Sequence, residues 1–445
     1  MRRLARPLLY GGIVVIVFGL AKIHARYIAD PPYDFTGSFR FGWTIAYCGL
    51  LIVGAYGAGL PDLPRSFRQA TASAVLVPLT AAAGISALQL LTGDALLPRF
   101  VVFGSAILVV PLALTSVAVA RGGRLRAELR DRVLLVAEPA EAVALRDELE
   151  REPERPAALL NHLTLPEAQP RGDGSRPVVE LADDIRANLI VVDRSALADP
   201  SVVAQVAALH EAGTRVRPLS DFYEDWLGKL PVSELERASL MFDIRELHGV
   251  RYIRVKRAMD LVAGALACVA LALLLPVVAV GNLLGNRGRL FYRQERVGKQ
   301  GEPFMILKFR TMREAMPDDE TTWTQVDDPR VTRFGRLLRA THLDELPQAW
   351  NIVRGDLAVV GPRPEQPRYV DELVEKLPFY DLRHLVRPGL TGWAQVKYGY
   401  AGNERDALEK LQYEFWYLRH QSAWLDLRIV GRTLRSVAGS LAGGR

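Results

Sequence analysis

"LVAGALACVALALLLPVVAVGNLLGN", residues 261–286, carries no charge over a length sufficient to cross a bilayer. Its reading decides on which side of a membrane everything after it lies. Lys256 and Arg257 stand before the run, and Arg287, Arg289, Arg293 and Arg296 follow it. Basic residues mark the cytoplasmic side of a membrane helix, and one crossing cannot place both clusters there. Pro276 lies inside the run, removes a helix hydrogen bond and permits a sharp bend. The economical reading is a re-entrant helix–break–helix over 251–286 that dips into one leaflet and returns. The alternative, a fifth crossing, would send the C-terminal domain to the other side. Asp260 follows Lys256 by four residues and Arg257 by three, a spacing that pairs a carboxylate with a cation on one helix face.

Upstream, uncharged stretches cover 7–21, 41–60, 69–93 and 100–120. A span needs about 20 apolar residues, so 1–122 reads as a four-helix transmembrane sector, with Lys22 snorkelling at the end of the short first stretch. No small-residue cleavage site follows that stretch, so it reads as a span rather than a signal peptide. Arg2, Arg3 and Arg6, then Arg65 and Arg68, then Arg121, Arg124, Arg126 and Arg130 alternate with loops whose charges largely cancel. Both ends of the sector should face the cytoplasm.

The chain has 445 residues, enough for two or three cores, and a net charge of only +6. No nucleic-acid partner is expected. Its two cysteines, Cys48 and Cys268, lie in apolar runs, which excludes a disulfide framework or a cysteine metal site.

Between the sector and the run at 261, "RVLLVA" (132–137), "ANLIVVD" (187–193) and "TRVRPL" (214–219) read as strands. "AEAVALRDELERE" (140–152) and "VVAQVAALHEAG" (202–213) read as helices, giving a Rossmann-like parallel α/β domain over 131–220. Residues 153–176 read as a variable loop and 221–250 as a linker. A dinucleotide fold places glycines after its first strand. Here that turn is "AEPAEA" (137–142), with two carboxylates and no glycine, so a structural or regulatory module is expected.

The chemistry falls in 287–445. "RLFYRQERVGKQGEPFMILKFRTM" (289–312) alternates basic and apolar residues around Gly298 and Gly301, as a hairpin would. Lys308 and Arg310, two apart on one strand, should share a face that suits a diphosphate or is merely solvated. In "THLDELPQAWNIVRGD" (341–356), Pro347 fits only a first turn, so a helix should begin at Asp344 or Glu345. The helix dipole there favours ionised carboxylates by roughly 0.3–1 kcal/mol. Such a pair serves either as ordinary helix-start acids or as a nucleophile and a Mg²⁺ ligand. "VVGPRPE" (359–365) fixes Arg363 between two prolines, a stiff mount for a phosphate-binding guanidinium. "RPGLTGWAQV" (387–396) offers stacking through Trp393 and hydrogen bonding through Gln395, and the aromatic run 413–427 reads as packing.

Together "KRAMD", the 289–312 hairpin, "DPRVTRFGRLLRATHLDELPQAWNIVRGDLAVVGPRPE" and "RPGLTGWAQV" resemble the bacterial sugar transferase family, the monotopic phosphoglycosyl transferases that start exopolysaccharide, O-antigen and capsule synthesis. The likeness covers residues 251–437. The layout is similar to the family's long branch, the exopolysaccharide polyprenyl glycosylphosphotransferases, in which a four-helix sector and a Rossmann-like domain precede the catalytic domain. The resemblance implies Mg²⁺-dependent transfer of sugar-1-phosphate from a UDP-sugar to undecaprenyl phosphate, with release of UMP, by a cytoplasmic α/β catalytic domain at the bacterial inner membrane. It puts Asp344 at the nucleophile's position and Glu345 at that of the partner that helps hold Mg²⁺. Arg363 matches the arginine that grips the donor, and Lys308, Arg310, Arg339 and Gln395 fall within other active-site motifs. Membrane lipids are implied partners; a homodimer is left open. Two positions depart from the pattern: Leu275 replaces a serine common before the proline, and "NRGR" (286–289) replaces a proline-rich exit turn.

Two other readings stand beside this one. A nucleotide-sugar dehydratase or epimerase would use the Tyr-x-x-x-Lys spacing of "YIRVK" (252–256), but the glycine loop is missing. A catalytically inactive membrane scaffold or sensor would have no need of an intact Asp344–Glu345 pair with Lys308 and Arg363.

Overall fold

The computed structural model describes residues 2–61, 67–121, 130–151, 155–171, 174–230, 250–286, 288–313, 328, 330–377, 379–398 and 404–442. Arg65, Arg124, Arg126 and Arg287, used above for orientation, and residues 231–249 of the expected linker lie outside them.

Among the described residues, five helices are long and apolar enough to cross a membrane: Leu4–Ile28, Phe39–Gly57, Gln69–Ser86, Arg99–Ala120 and Tyr252–Gly285. The chain is a membrane protein with an α/β region. In the first four helices, Leu9, Ile13 and Val17 meet Tyr47, Leu51, Val77, Ile85, Val101 and Val109 in one buried cluster. The first helix is longer than the 7–21 stretch suggested, because helical backbone continues past Lys22 through a π-turn, His24–Ile28, that contains Arg26.

The middle domain is a four-stranded sheet of β1 (Asp131–Val136), β2 (Ala157–Leu163), β3 (Leu189–Val192) and β4 (Arg215–Pro218). Its order is β2-β1-β3-β4 and every pairing is parallel. Alternate residues of β1 and β3 feed opposite faces: Val133, Leu135, Leu189 and Val191 on one, Leu134, Val136, Ile190 and Val192 on the other. Both faces are covered by helices, as a parallel sheet requires. Two expectations need correction. The stretch 153–176, read as loop, contains β2, a half-exposed edge strand with neither β-branched residues nor strict alternation to announce it. Phe222, Tyr223, Trp226 and Leu227, read as linker, pack on the sheet and belong to its core. At the end of β1, burial and the carboxylates of Asp193 and Glu138 push the Glu141 carboxyl up, an environment that repels phosphate.

The long helix Val250–Gly285 runs unbroken through Pro276, so the expected helix–break–helix is one helix. Proline deprives only the carbonyl four residues earlier, that of Ala272, of its bond, and the turns on both sides persist. One face packs against the C-terminal unit along its length. A Cβ on Gly264 would lie 3.1 Å from Ile352 and Val353 side-chain atoms, and Leu271, Leu275 and Val278 meet Phe309, Leu338 and Phe334. The other face is an exposed apolar stripe of Val262, Leu266, Val269, Leu273, Val277, Val280 and Leu284 at helical spacing.

Asp260 does not form the ion pair expected with Lys256 or Arg257. Its Oδ1 accepts from the Val359 amide at 2.9 Å. Lys256 is drawn instead to Asp426 at 2.8 Å, and Arg257 donates at 2.7 Å to each of the Ile352 and Val353 carbonyls. Those carbonyls end the helix Ala349–Arg354 and have no partner within it, so a guanidinium is their natural cap.

The C-terminal unit holds a hairpin of β5 (Phe291–Val297) and β6 (Pro303–Phe309) and a parallel pair of β7 (Ala358–Val360) and β8 (Gly389–Thr391). Its last helix, Ala423–Ala442, crosses the second membrane helix backbone to backbone: a Cβ on Gly431 would lie 2.1 Å from the Gly57 carbonyl carbon.

Candidate active site

Asp344 and Glu345 occupy a 3-10 helix, Leu343–Gln348, which leads directly into Ala349–Arg354. His342 makes the turn into it with φ 55°, and the Glu345 amide donates to the His342 carbonyl at 3.2 Å. Neither carboxylate acts as a cap, because the capping position belongs to His342. Arg257, bonded to the far end of Ala349–Arg354, ties this segment to the long helix.

The hairpin delivers Lys308. Tyr292, Gln294 and Arg296 pair across it with Lys308, Ile306 and Phe304, so Arg296 and Lys308 lie on one face. Lys308 Nζ donates to Glu345 Oε1 at 2.8 Å, and an Arg363 guanidinium nitrogen approaches the same oxygen at 3.7 Å. Arg296, Lys308, Glu345, Gln348 and Arg363 line a single small pocket. Arg296 was not singled out from the sequence. The signal was present in the alternation of "YRQERV", but it becomes decisive only once the hairpin register is known.

Arg363 reaches this pocket because β7 and β8 run side by side. A Cβ on Gly389 would lie 2.0 Å from the Gly361 amide nitrogen, so only glycine lets the two backbones approach this closely. On its other side Arg363 lines a second pocket with Gln395, whose Oε1 is buried without a hydrogen-bond partner. Trp393, expected to offer a stacking face, is instead fully buried: it stacks on Trp416 at 4.8 Å and donates to the Gly228 carbonyl at 2.7 Å. Arg339, on the helix Arg333–Ala340, donates to Thr311 Oγ1 at 2.9 Å and turns its charge toward Asp344. Arg310 departs from expectation. It follows β6 by one residue and lies beside Gly288 at the exit of the long helix, where its carbonyl accepts from Asn286 at 2.7 Å.

The two carboxylates differ. Burial and then the Glu345 charge push Asp344 above the usual carboxylate range, against the pull of Lys308, Arg339 and His342. The ionising effect expected of a helix start is outweighed. Burial also acts on Glu345, but Lys308 and Arg363 overcome it and hold that carboxyl low. Burial likewise draws the Lys308 ammonium below its ordinary value, against the pull of Glu345. No described residue hydrogen-bonds the Asp344 side chain; its neighbours act on it only through space. At this site, therefore, Glu345 is fixed in the pocket, Asp344 beside it has no hydrogen bond from a described residue, and cations are turned toward both.

A sequence profile described as bacterial sugar transferase matches residues 251–440. The chain is 41% identical over 186 residues to the UDP-N-acetylgalactosamine-undecaprenyl-phosphate N-acetylgalactosaminephosphotransferase of Aeromonas hydrophila, covering 42% of this chain and 44% of that one. It is 38% identical over 192 residues to the UDP-glucose:undecaprenyl-phosphate glucose-1-phosphate transferase of Escherichia coli, covering 42% and 41%. A protein of the same description from Caulobacter vibrioides is 44% identical over 186 residues, which is 41% of this chain and 69% of the relative. The match spans less than half the length of the Aeromonas and Escherichia proteins.

Proposed function

Because the chain belongs to the bacterial sugar transferase family, we propose that its C-terminal unit moves sugar-1-phosphate from a UDP-sugar to undecaprenyl phosphate and releases UMP. The observation that carries this reading is the pocket where Lys308 and Arg363 fix Glu345 while the Asp344 carboxylate beside it takes no hydrogen bond from a described residue. An Asp344 oxygen attacks the sugar-bearing phosphorus. The new O–P bond forms as the bond to the bridging oxygen breaks, and UMP leaves with that electron pair. A phosphate oxygen of the lipid then attacks the same phosphorus, breaks the acyl–phosphate bond and restores the carboxylate. Arg363, Lys308 and Arg296 hold the diphosphate, whose charge their own complements.

Mg²⁺ suits this donor set. It keeps much of its water and is commonly held by one or two carboxylates together with substrate phosphates. Among the described residues no cluster of three or more His, Cys, Asp or Glu forms a metal cage. Asp344 and Glu345 would hold the ion, which when bound neutralises charge on the diphosphate.

The packing of the long helix favours a placement in one leaflet over a crossing. Its ends, at Lys256 and Asn286, both bond to the same C-terminal unit, and its packed face would drag that unit into lipid if the helix crossed. The exposed stripe on its other face suits one leaflet. The catalytic unit then lies on the cytoplasmic face of a bacterial inner membrane.

The test is a half-reaction. Labelled UMP should exchange into UDP-sugar with Mg²⁺ and no lipid acceptor, and Asp344→Asn should abolish both exchange and turnover. Turnover without exchange, through a ternary complex, would replace the covalent path by direct transfer to lipid.

A further inference from the structure

The helix Glu404–His420 carries two buried ion pairs that face different parts of the molecule. Toward the sheet domain, Lys229 Nζ sits 2.7 Å from Glu148 Oε1 and 3.0 Å from Glu409 Oε2, with its side chain 2% exposed. Glu148 lies on the helix Pro139–Glu150 of the sheet domain, and Glu409 on Glu404–His420. Toward the pocket, Glu414 of the same helix receives Arg383 in a two-pronged contact, each bond 2.8 Å. Arg383 also donates at 2.9 Å to the carbonyl of Arg363. That carbonyl lies in a stretch where Pro362 and Pro364 supply no amide hydrogens.

Burying charges is costly, and a buried ionic contact that contributes little to stability can still fix one arrangement against others. Here two such contacts are joined by one rigid helix, and the second ends on the backbone of the residue that faces the diphosphate. We propose that the sheet domain braces the donor site: Lys229 locks the helix Glu404–His420, and Glu414 on that helix holds Arg383 against Arg363. Lys229 and Arg383 are positioning residues; they act through Arg363 and need not touch substrate. This gives a task to a domain whose first turn disfavours nucleotides. It rests on the transferase reading.

The experiment uses the full chain in lipid nanodiscs, with UMP release measured against UDP-sugar concentration. Arg383→Lys keeps the charge but loses the planar fork. It should raise KM for UDP-sugar on the order of tenfold, as expected for loss of a charge-assisted bond, with kcat close to wild type. Glu148→Gln, changed only in the sheet domain, should raise KM about threefold. In an Arg363→Ala background neither change should move KM further, because the residue they act through is gone. Unchanged KM in both single variants of an active protein overturns the brace, as do effects that simply multiply with that of Arg363→Ala. If Arg383→Lys fails to fold, Glu148→Gln alone decides. A wild type that releases no UMP from any UDP-sugar counts against the transferase reading instead.

Discussion

Replacing Asp344 by asparagine should abolish activity and at the same time stabilise the protein. The Asp344 side chain has no hydrogen bond from a described residue, is partly buried, and stands beside the Glu345 carboxylate. Asparagine leaves a polar group in place, so the substitution relieves only the charge; an unpartnered buried polar group costs roughly 1–3 kcal/mol and a charged one more. Lys308, Arg339 and His342 offset part of this, so the expected gain is about 1 kcal/mol, the low end of that range. For a catalytic unit of this size that corresponds to a rise of about 2–4 °C in the unfolding midpoint. The pH dependence has a definite sign. Burial and Glu345 raise the carboxyl above its unfolded value, so the ionised form burdens the folded state. The burden is absent below the ordinary carboxylate range, grows as pH rises from that range to the raised value, and is complete above it. Wild type and Asp344→Asn should therefore melt together in acid and separate above it. Differential scanning fluorimetry from pH 4 to 8, at about one-unit steps, in parallel with UMP exchange, checks both halves. A lower midpoint for Asp344→Asn at neutral pH would mean that the carboxylate makes a structural bond, and the reasoning would fall.

Other perturbations follow from the same geometry. Arg257→Met removes the cap on the Ile352 and Val353 carbonyls and should cost about 3 kcal/mol, with lower activity; an unchanged unfolding midpoint would show that the cap does not hold the Asp344 segment to the long helix. Gly389→Ala places a methyl 2.0 Å from the Gly361 nitrogen, where backbone cannot yield. It should cost about 3 kcal/mol or more and separate Arg363 from Gln395. Resistance to protease equal to wild type, with full UMP release, would contradict this. For topology, Arg289→Cys in a chain whose Cys48 and Cys268 have been replaced should react with an impermeant thiol reagent only after the cytoplasmic face is opened. Labelling of intact cells from outside would refute the one-leaflet placement.

The sequence by itself determined what depends on neighbours in the chain. Span length and hydropathy are local, so the apolar helices could be read directly, as could the fully buried strands at Leu134 and Ile190. The hairpin of Lys308, the stiff mount of Arg363 and the helical start at Asp344–Glu345 were legible for the same reason: proline, glycine and alternation act within a few residues. Only the tertiary structure decided which partner won where several competed. Asp260 gave up the cations on its own helix to a backbone amide, because the carbonyls ending Ala349–Arg354 and the carboxylate of Asp426 drew those cations away. Arg296 entered the pocket and Arg310 did not, since the register of β5 on β6 and the end of the strand at Phe309 set where each side chain lies. The strand at Ala157–Leu163 exists because β1 offers it an edge, whatever its own residues, none of them β-branched, prefer. Asp344 shows the difference most directly. Its place on a helical turn was written locally, but its protonation depends on burial and on charges brought from β6 and the helix Arg333–Ala340, whose distances no stretch of sequence specifies.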